Sequence, residues 1–504
     1  MVQHAVHNPV ELQQACDAAA AGDEILIFGG TYDTPSVLHK RRGEPGKPIV
    51  FRAADEQWIN GAQVPDPFWG GTLPSLDAPR KPDVSDFAFL LIDDCEQIVV
   101  ERLRIGNCWP TILFVKDTKF LRVRGCVLRH GTYAIFAKGN TSHLLVEENE
   151  WQQDDSPGHD LWNKIDWRRA HGGEGADGLY RYFNGGFLSA KGIAGNVVVR
   201  RNRISDAFNG VRMKADSAYP NQSLPKNGNV HIYDNDFIRI RDNPVEPEVF
   251  AYDWHVRHNR LLDCHAWFSF DGVSGGYWYF YGNFGGFRSR QGGAGGGDHT
   301  TGRVLKLSYE TFPRDMDSER VPAFPWFVFN NSWRLRCPVI AGRSDMPHTA
   351  GAEGPDFTAY LDFFNNAFEW CDPSRDGAWI CEYIDLMYKF DLSRSTNVRF
   401  DFDITNRQDF FDYFAAAGRD EEHGCAARRS VFEPSQPGIL RLAAGSLGLN
   451  SGSVRSVARP DDSAARLRPQ ADGTLNRGAV QDYGLIEVPA LEAQAIAIIA
   501  QFGG

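Results

Sequence analysis

One short phrase recurs along the middle of this 504-residue chain and restricts what it can fold into. It occurs as Asn196-Val-Val-Val-Arg-Arg-Asn202-Arg-Ile, Asn229-Val-His-Ile-Tyr-Asp-Asn235-Asp-Phe and Asp253-Trp-His-Val-Arg-His-Asn259-Arg-Leu, then Gly276-Tyr-Trp-Tyr-Phe-Tyr-Gly-Asn283-Phe. Each copy alternates apolar and polar residues and closes on an asparagine, at spacings of 33, 24 and 24 residues. The phrase returns upstream at Asn149 and downstream at Asn331 and Asn366, with degenerate copies starting at Val99 and near Val123. A strand recurring at a period of about 24 residues marks a stacked repeat. Each coil is too short to bury its own apolar residues, so coils stack at about 4.8 Å and share one long core. Inward Val, Ile and Phe would form that core, with outward Arg, Asp and His toward solvent. The recurring asparagine would sit in left-handed geometry at a turn and bond to its stacked copies.

These phrases resemble those of the pectate-lyase-like superfamily over roughly residues 24 to 400. The resemblance implies an all-β, right-handed parallel β-helix. A β-helix with its N-terminal cap is expected over residues 1–403, and a helix and extended tail packing on it over 404–504. Asn8-Pro9-Val10-Glu11 opens a capping helix, with asparagine as N-cap, proline at N1 and glutamate completing a capping box. That helix would shield the open end of the solenoid. The first strand is expected in Gly22-Asp-Glu-Ile-Leu-Ile-Phe-Gly-Gly-Thr-Tyr, wording that resembles the N-terminal cap of polysaccharide lyase family 6, the chondroitinase-B-like and alginate-lyase-like proteins. Residues 56–92 read as a long loop. Arg407 to Gly418 reads as a helix ended by glycine. The tail from Leu440 to Val480 resembles the closing segment of many bacterial β-helix enzymes, and Pro489 to Phe502 reads as a last helix.

A net charge of −12 argues against a nucleic-acid partner. No stretch is apolar for 18 residues, so no membrane span or membrane partner is expected. The N-terminus has neither a basic n-region nor an apolar h-region, which points to the cytoplasm; a chain whose signal had been removed would be secreted or periplasmic. Nine cysteines without a Cys-x-x-Cys pair read as reduced residues, several at stacked core positions. No feature sets an oligomeric state.

Stacking converts register into columns. Aligning the strand after each turn places Lys116, Lys138, Lys191, Lys214, Glu248 and Asp271 in one column, and Ser189, Arg212, Glu246 and Ser269 two residues earlier. Stacked lysines repel, which would lower their pKa values. Four polar residues and two prolines in Asp242-Asn-Pro-Val-Glu246-Pro-Glu248 need a reason beyond the fold. The insertion from Asp154 to Gly186 carries Trp162, Trp167, Tyr180 and Tyr182, aromatic faces suited to sugar rings. A second insertion, Phe284 to Gly302, is rich in glycine but lacks the Gly-Lys-Ser/Thr of a phosphate loop.

The expected function is cleavage of a poly- or oligosaccharide in a groove along the middle coils. The candidate catalytic residues are Lys214, Arg212, Glu246, Glu248 and Asp271. The candidate substrate-binding residues are Lys191, Asp242, His265, Trp162, Trp167 and Tyr180. In β-elimination, which leads, Lys214 is the base and Arg212 neutralises a uronate. In the alternative, a glycoside hydrolase or transglycosylase uses Glu246, Glu248 and Asp271. A uronate epimerase and a non-catalytic tailspike-like binding module are further alternatives. The resemblance carries only Lys214 over, as the base. It admits Ca2+ as cofactor, yet Ala207-Phe-Asn-Gly stands where the family's acidic calcium ligands would be, and Glu246/Glu248 where its next arginine would be. The identity of any metal is left open.

Overall fold

The computed structural model describes residues 1–61, 88–165, 170–171, 181–214, 227–248, 251–270, 275–286, 303–307, 325–335, 337, 339–342, 361–370, 387–388, 398–418, 421–428, 430–433, 440–457, 466–481 and 484–502. Within them the chain winds as a right-handed parallel β-helix. Three long sheets of 13, 11 and 13 strands run its length, and successive coils pair in parallel throughout. In the first sheet Trp254 stands over Val230 and under Trp278, which pairs with Trp326. The rings of Trp278 and Trp326 stack 4.6 Å apart. A single core of inward Val, Ile, Leu, Phe and Trp runs from Val6 to Phe414. The coil length sets this arrangement: each turn contributes one apolar residue per inward position, and only the next turn can cover it.

The recurring asparagines form a buried ladder. The side-chain oxygen of Asn259 accepts from both the backbone N–H and the Nδ2 of Asn235, at 3.1 and 3.0 Å. Its own Nδ2 donates to Ile232 O and to Asn283 Oδ1. The same pattern runs from Asn149 through Asn202, Asn235, Asn283 and Asn331 to Asn366. One detail differs from expectation. The left-handed residue is the one before each asparagine: Glu148, Arg201, Asp234, His258, Gly282, Asn330 and Asn365, all with φ between 49° and 62°. The corner and the ladder are thus made by neighbouring residues, and Asn is selected for its paired acceptor and donor. Asn259→Ala leaves the buried N–H of Asn235 without an acceptor and is expected to cost about 2–4 kcal/mol, from one orphaned donor and a lost network bond. Chemical denaturation checks this as a lowered midpoint with an unchanged slope.

Both ends are closed. The N-terminal helix, Pro9–Ala18, has the expected N-cap, with Glu11 N–H donating to Asn8 Oδ1 at 3.0 Å, but Glu11 Oε2 reaches one residue further back and accepts from His7 N–H at 2.7 Å. It buries Leu12, Ala15 and Cys16 on the end of the core. The first strand is not the one expected: Gln3–Val6 precedes the helix and pairs with Glu24–Ile27. The stretch expected as a loop from 56 to 92 begins and ends in strands, Ile59–Gly61 and Ala88–Asp93, while residues 62–87 lie outside the described residues. At the other end the helix Gln408–Ala416 covers the core with Phe410 and Phe414, and Gly418 follows at φ 68°.

The outer face of the first sheet is not solvated as expected. The C-terminal tail runs back along it, packing Val457, Leu467, Leu475, Ile486 and Val488 on Tyr279, Tyr281, Phe327 and Phe329. The last helix, Pro489–Ala500, continues over Leu145, Val198 and Tyr233. His231 and His255 stack 4.3 Å apart in this layer, fully buried. Their alternation places them outside the core, but the tail supplies a second apolar layer that the strand pattern does not encode. Of the cysteines, Cys16, Cys95, Cys108, Cys126, Cys264 and Cys337 occupy core positions, and burial pushes the thiols of Cys16, Cys108 and Cys126 up to about 12.

Candidate active site

The outer face of the second sheet carries the candidate residues. The strand Asn209–Lys214 turns Val211 and Met213 into the core, so Arg212 and Lys214 point outward. Lys116, Lys138, Lys191 and Lys214 pair in succession, and Ser189, Arg212 and Glu246 form the adjacent column. This is the register derived from the sequence. Lys306 pairs with Ser269 and extends the second column by one rung. Asp271, Trp167 and Tyr180 lie outside the described residues, as does most of the second insertion.

The two columns meet at Arg212. Its Nε lies 2.9 Å from Glu246 Oε2 and 3.5 Å from Glu248 Oε1. Lys214 Nζ lies 2.7 Å from the same Glu248 oxygen. Those two legs limit the separation of the two carboxylate oxygens to about 6.4 Å. Glu246 is 3% exposed and Glu248 8%. Burial raises the proton affinity of Glu248, the charge of Glu246 raises it further, and Arg212 and Lys214 only partly offset both, leaving its pKa at about 7. Burial opposes the charge of Arg212, but Glu246 and then Glu248 outweigh it and raise its pKa. A proton-exchanging carboxyl thus sits beside a second buried acid and two fixed cations.

Several polar atoms around this group are buried without hydrogen-bond partners among the described residues. They are Ser189 Oγ, Ser269 Oγ, Asn209 Nδ2, Asn243 Oδ1, Arg212 Nε and Glu246 Oε2. The last two are close enough for an ion pair but misaligned for a hydrogen bond, so both keep directional capacity. Buried groups in this condition call for an explanation, and a polyhydroxylated ligand or ordered water supplies one.

Other candidates fall at varying distances from this centre. Asp242 is buried, with His171 Nε2 3.6 Å from its carboxylate, and His265 is buried on the next coil. Lys191 is exposed at the rung below Lys214. Trp162 is 1% exposed, so it packs the insertion and presents no face to a sugar, because its short helix Asp160–Asn163 turns inward. Lys116 departs from the lowered pKa expected of a lysine stack: its hydrogen bond to Asp93, then Asp93's charge, raises it. Below Lys116 the column continues through Asp93 to His39 and is not wholly cationic. Sequence reasoning missed Asn184, at the end of the first insertion, whose Oδ1 accepts from Arg212 Nη1 at 3.1 Å. No periodicity marks that residue; only the return of the insertion to the coil brings it there.

The residues present do not fit a calcium site. Ala207 and Phe208 offer no ligand, Asn209 Oδ1 accepts from the Asn243 N–H, and Asp206 is held by Arg239 at 2.6 Å. Two cations flank the carboxylates. Among the described residues no cluster of three or more His, Cys, Asp or Glu side chains could hold a metal ion.

No family model matches this chain, and no curated protein is similar to it in sequence. Solved structures are similar in fold. An alginate lyase from Paenibacillus sp. str. FPU-7 aligns at 13% identity over 60% of this chain and 90% of its own, with a TM-score of 0.36. The PL6 family alginate lyase AlyGC aligns at 12% identity over 92% of this chain, with a TM-score of 0.39; the alignment spans 58% of that longer protein. An endo-xylogalacturonan hydrolase from Aspergillus tubingensis aligns at 11% identity over 70% of this chain and 84% of its own, with a TM-score of 0.38.

Proposed function

We propose that this protein is a carbohydrate-active enzyme that cleaves a poly- or oligosaccharide lying along the outer face of the second sheet, with Glu248 as the proton-exchanging group. The observation that carries this reading is the buried pair Glu246 and Glu248 on one Arg212 nitrogen, with Glu248 near neutrality. A general acid works best when its pKa lies near the working pH, and two neighbouring carboxyl groups in different environments divide the acid and base roles. In hydrolysis, protonated Glu248 gives its proton to the leaving glycosidic oxygen while the Glu246 carboxylate attacks or stabilises the sugar carbon. The limit of about 6.4 Å between these two oxygens admits the spacing of retaining enzymes, about 5–5.5 Å, and falls short of the about 6.5–9.5 Å of inverting ones. Ser189 and Ser269 flank the pair and would bind sugar hydroxyls.

A second reading, β-elimination, has its own support. Lys191 and Lys138 have no carboxylate partner among the described residues and lie one and two rungs below Lys214, suiting an acidic sugar chain. Lys214 would act as base after passing its proton to Glu248 across 2.7 Å. Hydrolysis leads because Glu248 lies near neutrality, as a general acid requires, while Lys214 and Arg212 are ion-paired with the carboxylates.

The test is incubation with a panel of uronate-containing and neutral glycans, counting new reducing ends and following ultraviolet absorbance of unsaturated product. New reducing ends without absorbance are expected. Absorbance rising with them would transfer the reading to β-elimination. Neither signal on any glycan would overturn cleavage and leave an epimerase or a binding module.

A further inference from the structure

The asparagine ladder ends on an aspartate, and the rungs before it say what that aspartate must do. In six successive rungs the asparagine Nδ2 donates to the carbonyl three residues before the preceding ladder asparagine. These bonds run from Asn202 to Val146, Asn235 to Val199, Asn259 to Ile232, Asn283 to Val256, Asn331 to Phe280 and Asn366 to Val328, all at 2.9 or 3.0 Å. In each rung the side-chain oxygen accepts from the asparagine before it. Asp403 repeats the second half: its Oδ1 accepts from Asn366 N–H at 2.7 Å and Asn366 Nδ2 at 3.1 Å. Continued by one rung, the repeat assigns its Oδ2 the place of the missing Nδ2, toward the carbonyl of Phe363, three residues before Asn366. The strand register that aligns Phe363 with Phe400 continues the repeat to this point.

Two acceptor oxygens cannot share that contact. A charged Asp403 would set an anionic oxygen against a carbonyl in the protein interior, whereas a protonated one donates as asparagine does. Asp403 is fully buried, and among the described residues its Oδ2 has no partner if it is taken as a carboxylate. The surrounding charges do not rescue the anion. Arg477 Nη1 donates to the Asp403 backbone carbonyl and lies 3.2 Å from Cys425 Sγ, and its Nη2 donates to Ser451 O. Glu421 Oε1 accepts from the Asp403 N–H at 2.7 Å, which brings a second acid against the first. Beyond Glu421, Asp401 is held by His423 and Arg455.

We infer that Asp403 is a neutral carboxylic acid at pH 7 that serves as the last asparagine of the ladder by donating its Oδ2–H to the Phe363 carbonyl, so that the C-terminal closure of the solenoid weakens as this proton leaves. Burial, reinforced by Glu421, raises Asp403 well above the carboxylate range, and burial raises Glu421 to about 8, in keeping with this role. The tail is fastened at the same rungs: Gly478 N–H donates to Asn365 O, and Asn365 Nδ2 to Ser453 O. Loss of the proton thus acts where the tail meets the coils. The inference does not depend on the proposed activity.

The experiment compares melting temperatures of the full chain, Asp403→Asn and Asp403→Ala between pH 5 and pH 9. The folded state keeps a proton that the unfolded chain releases near pH 4, so stability falls as pH rises above that value. Asp403→Asn keeps the donor without the titration. It should melt at or above the parent, with a gain that widens toward alkaline pH to about 2–4 °C, and Asp403→Ala should melt below both at pH 5. Infrared spectroscopy of Glu421→Gln at pD 8 supplies a second readout, in which the protonated-carboxyl band should persist. A pH-independent or absent difference, an Asp403→Asn variant less stable at pH 8 than the parent, or the absence of that band would overturn the inference.

Discussion

Glu248→Gln is expected to reduce turnover of whichever glycan the protein cleaves by about 10²- to 10⁴-fold, the range for removing a general acid or base. Glutamine keeps the volume of the side chain and can still accept from Lys214 Nζ, now 2.7 Å from the glutamate oxygen. It removes the exchangeable proton and the charge but keeps the contact. The melting temperature should therefore stay within about 3 °C of the parent, which separates lost chemistry from lost fold. Glu248 takes a proton more readily in the folded chain, about 7 against an ordinary 4.5, so its contribution to stability is greatest at acid pH and fades as pH rises from 4.5 through 7. The glutamine variant loses this slope. Turnover within tenfold of the parent would place the proton donor elsewhere.

Arg212→Met is expected to destabilise the fold by about 3–5 kcal/mol at pH 8, because it leaves two buried carboxylates without the cation between them. The Arg212 side chain is 15% exposed and Glu246 is 4%, so solvent cannot replace the lost charge. Methionine fills much of the same volume, which keeps packing loss small. The sign of the pH dependence distinguishes this cause from a cavity. Without Arg212 the pKa of Glu248 rises further, so the deficit should shrink toward pH 5, where it is protonated in both proteins. Denaturant midpoints at pH 5 and pH 8 read this directly. Equal losses at both values would mean that Arg212 acts through packing alone.

The coils were legible because their cause is local. Asn202, Asn235, Asn259 and Asn283 recur at the coil period, and each must meet its copy above and below. Strict alternation in Val211-Arg-Met-Lys214 sends Arg212 and Lys214 outward, and the register of one strand then fixes the column of the next. The meeting of Glu246, Glu248, Arg212 and Lys214 follows from that logic. What the sequence did not show arises from segments that leave the repeat and return. Asn184 reaches Arg212 from the end of an insertion, and Trp162 is buried within the same insertion. The tail covers Tyr279 and Tyr281 from some 200 residues away in sequence, as the contact from Tyr281 to Glu492 shows. The roles of single residues in columns also depended on neighbours: Lys116 is an ion-pair partner of Asp93, whereas Lys214 shares Glu248 with Arg212.

The measurement that bears most directly on the central claim is the pH dependence of kcat/KM on the glycan that is cleaved. With Glu248 as the acid in the free enzyme, kcat/KM should fall above about pH 7, and the fall should be absent from the residual activity of Glu248→Gln. A rate that climbs through pH 7 and continues to rise toward alkaline pH would contradict acid catalysis by Glu248 and assign the proton transfer to a base.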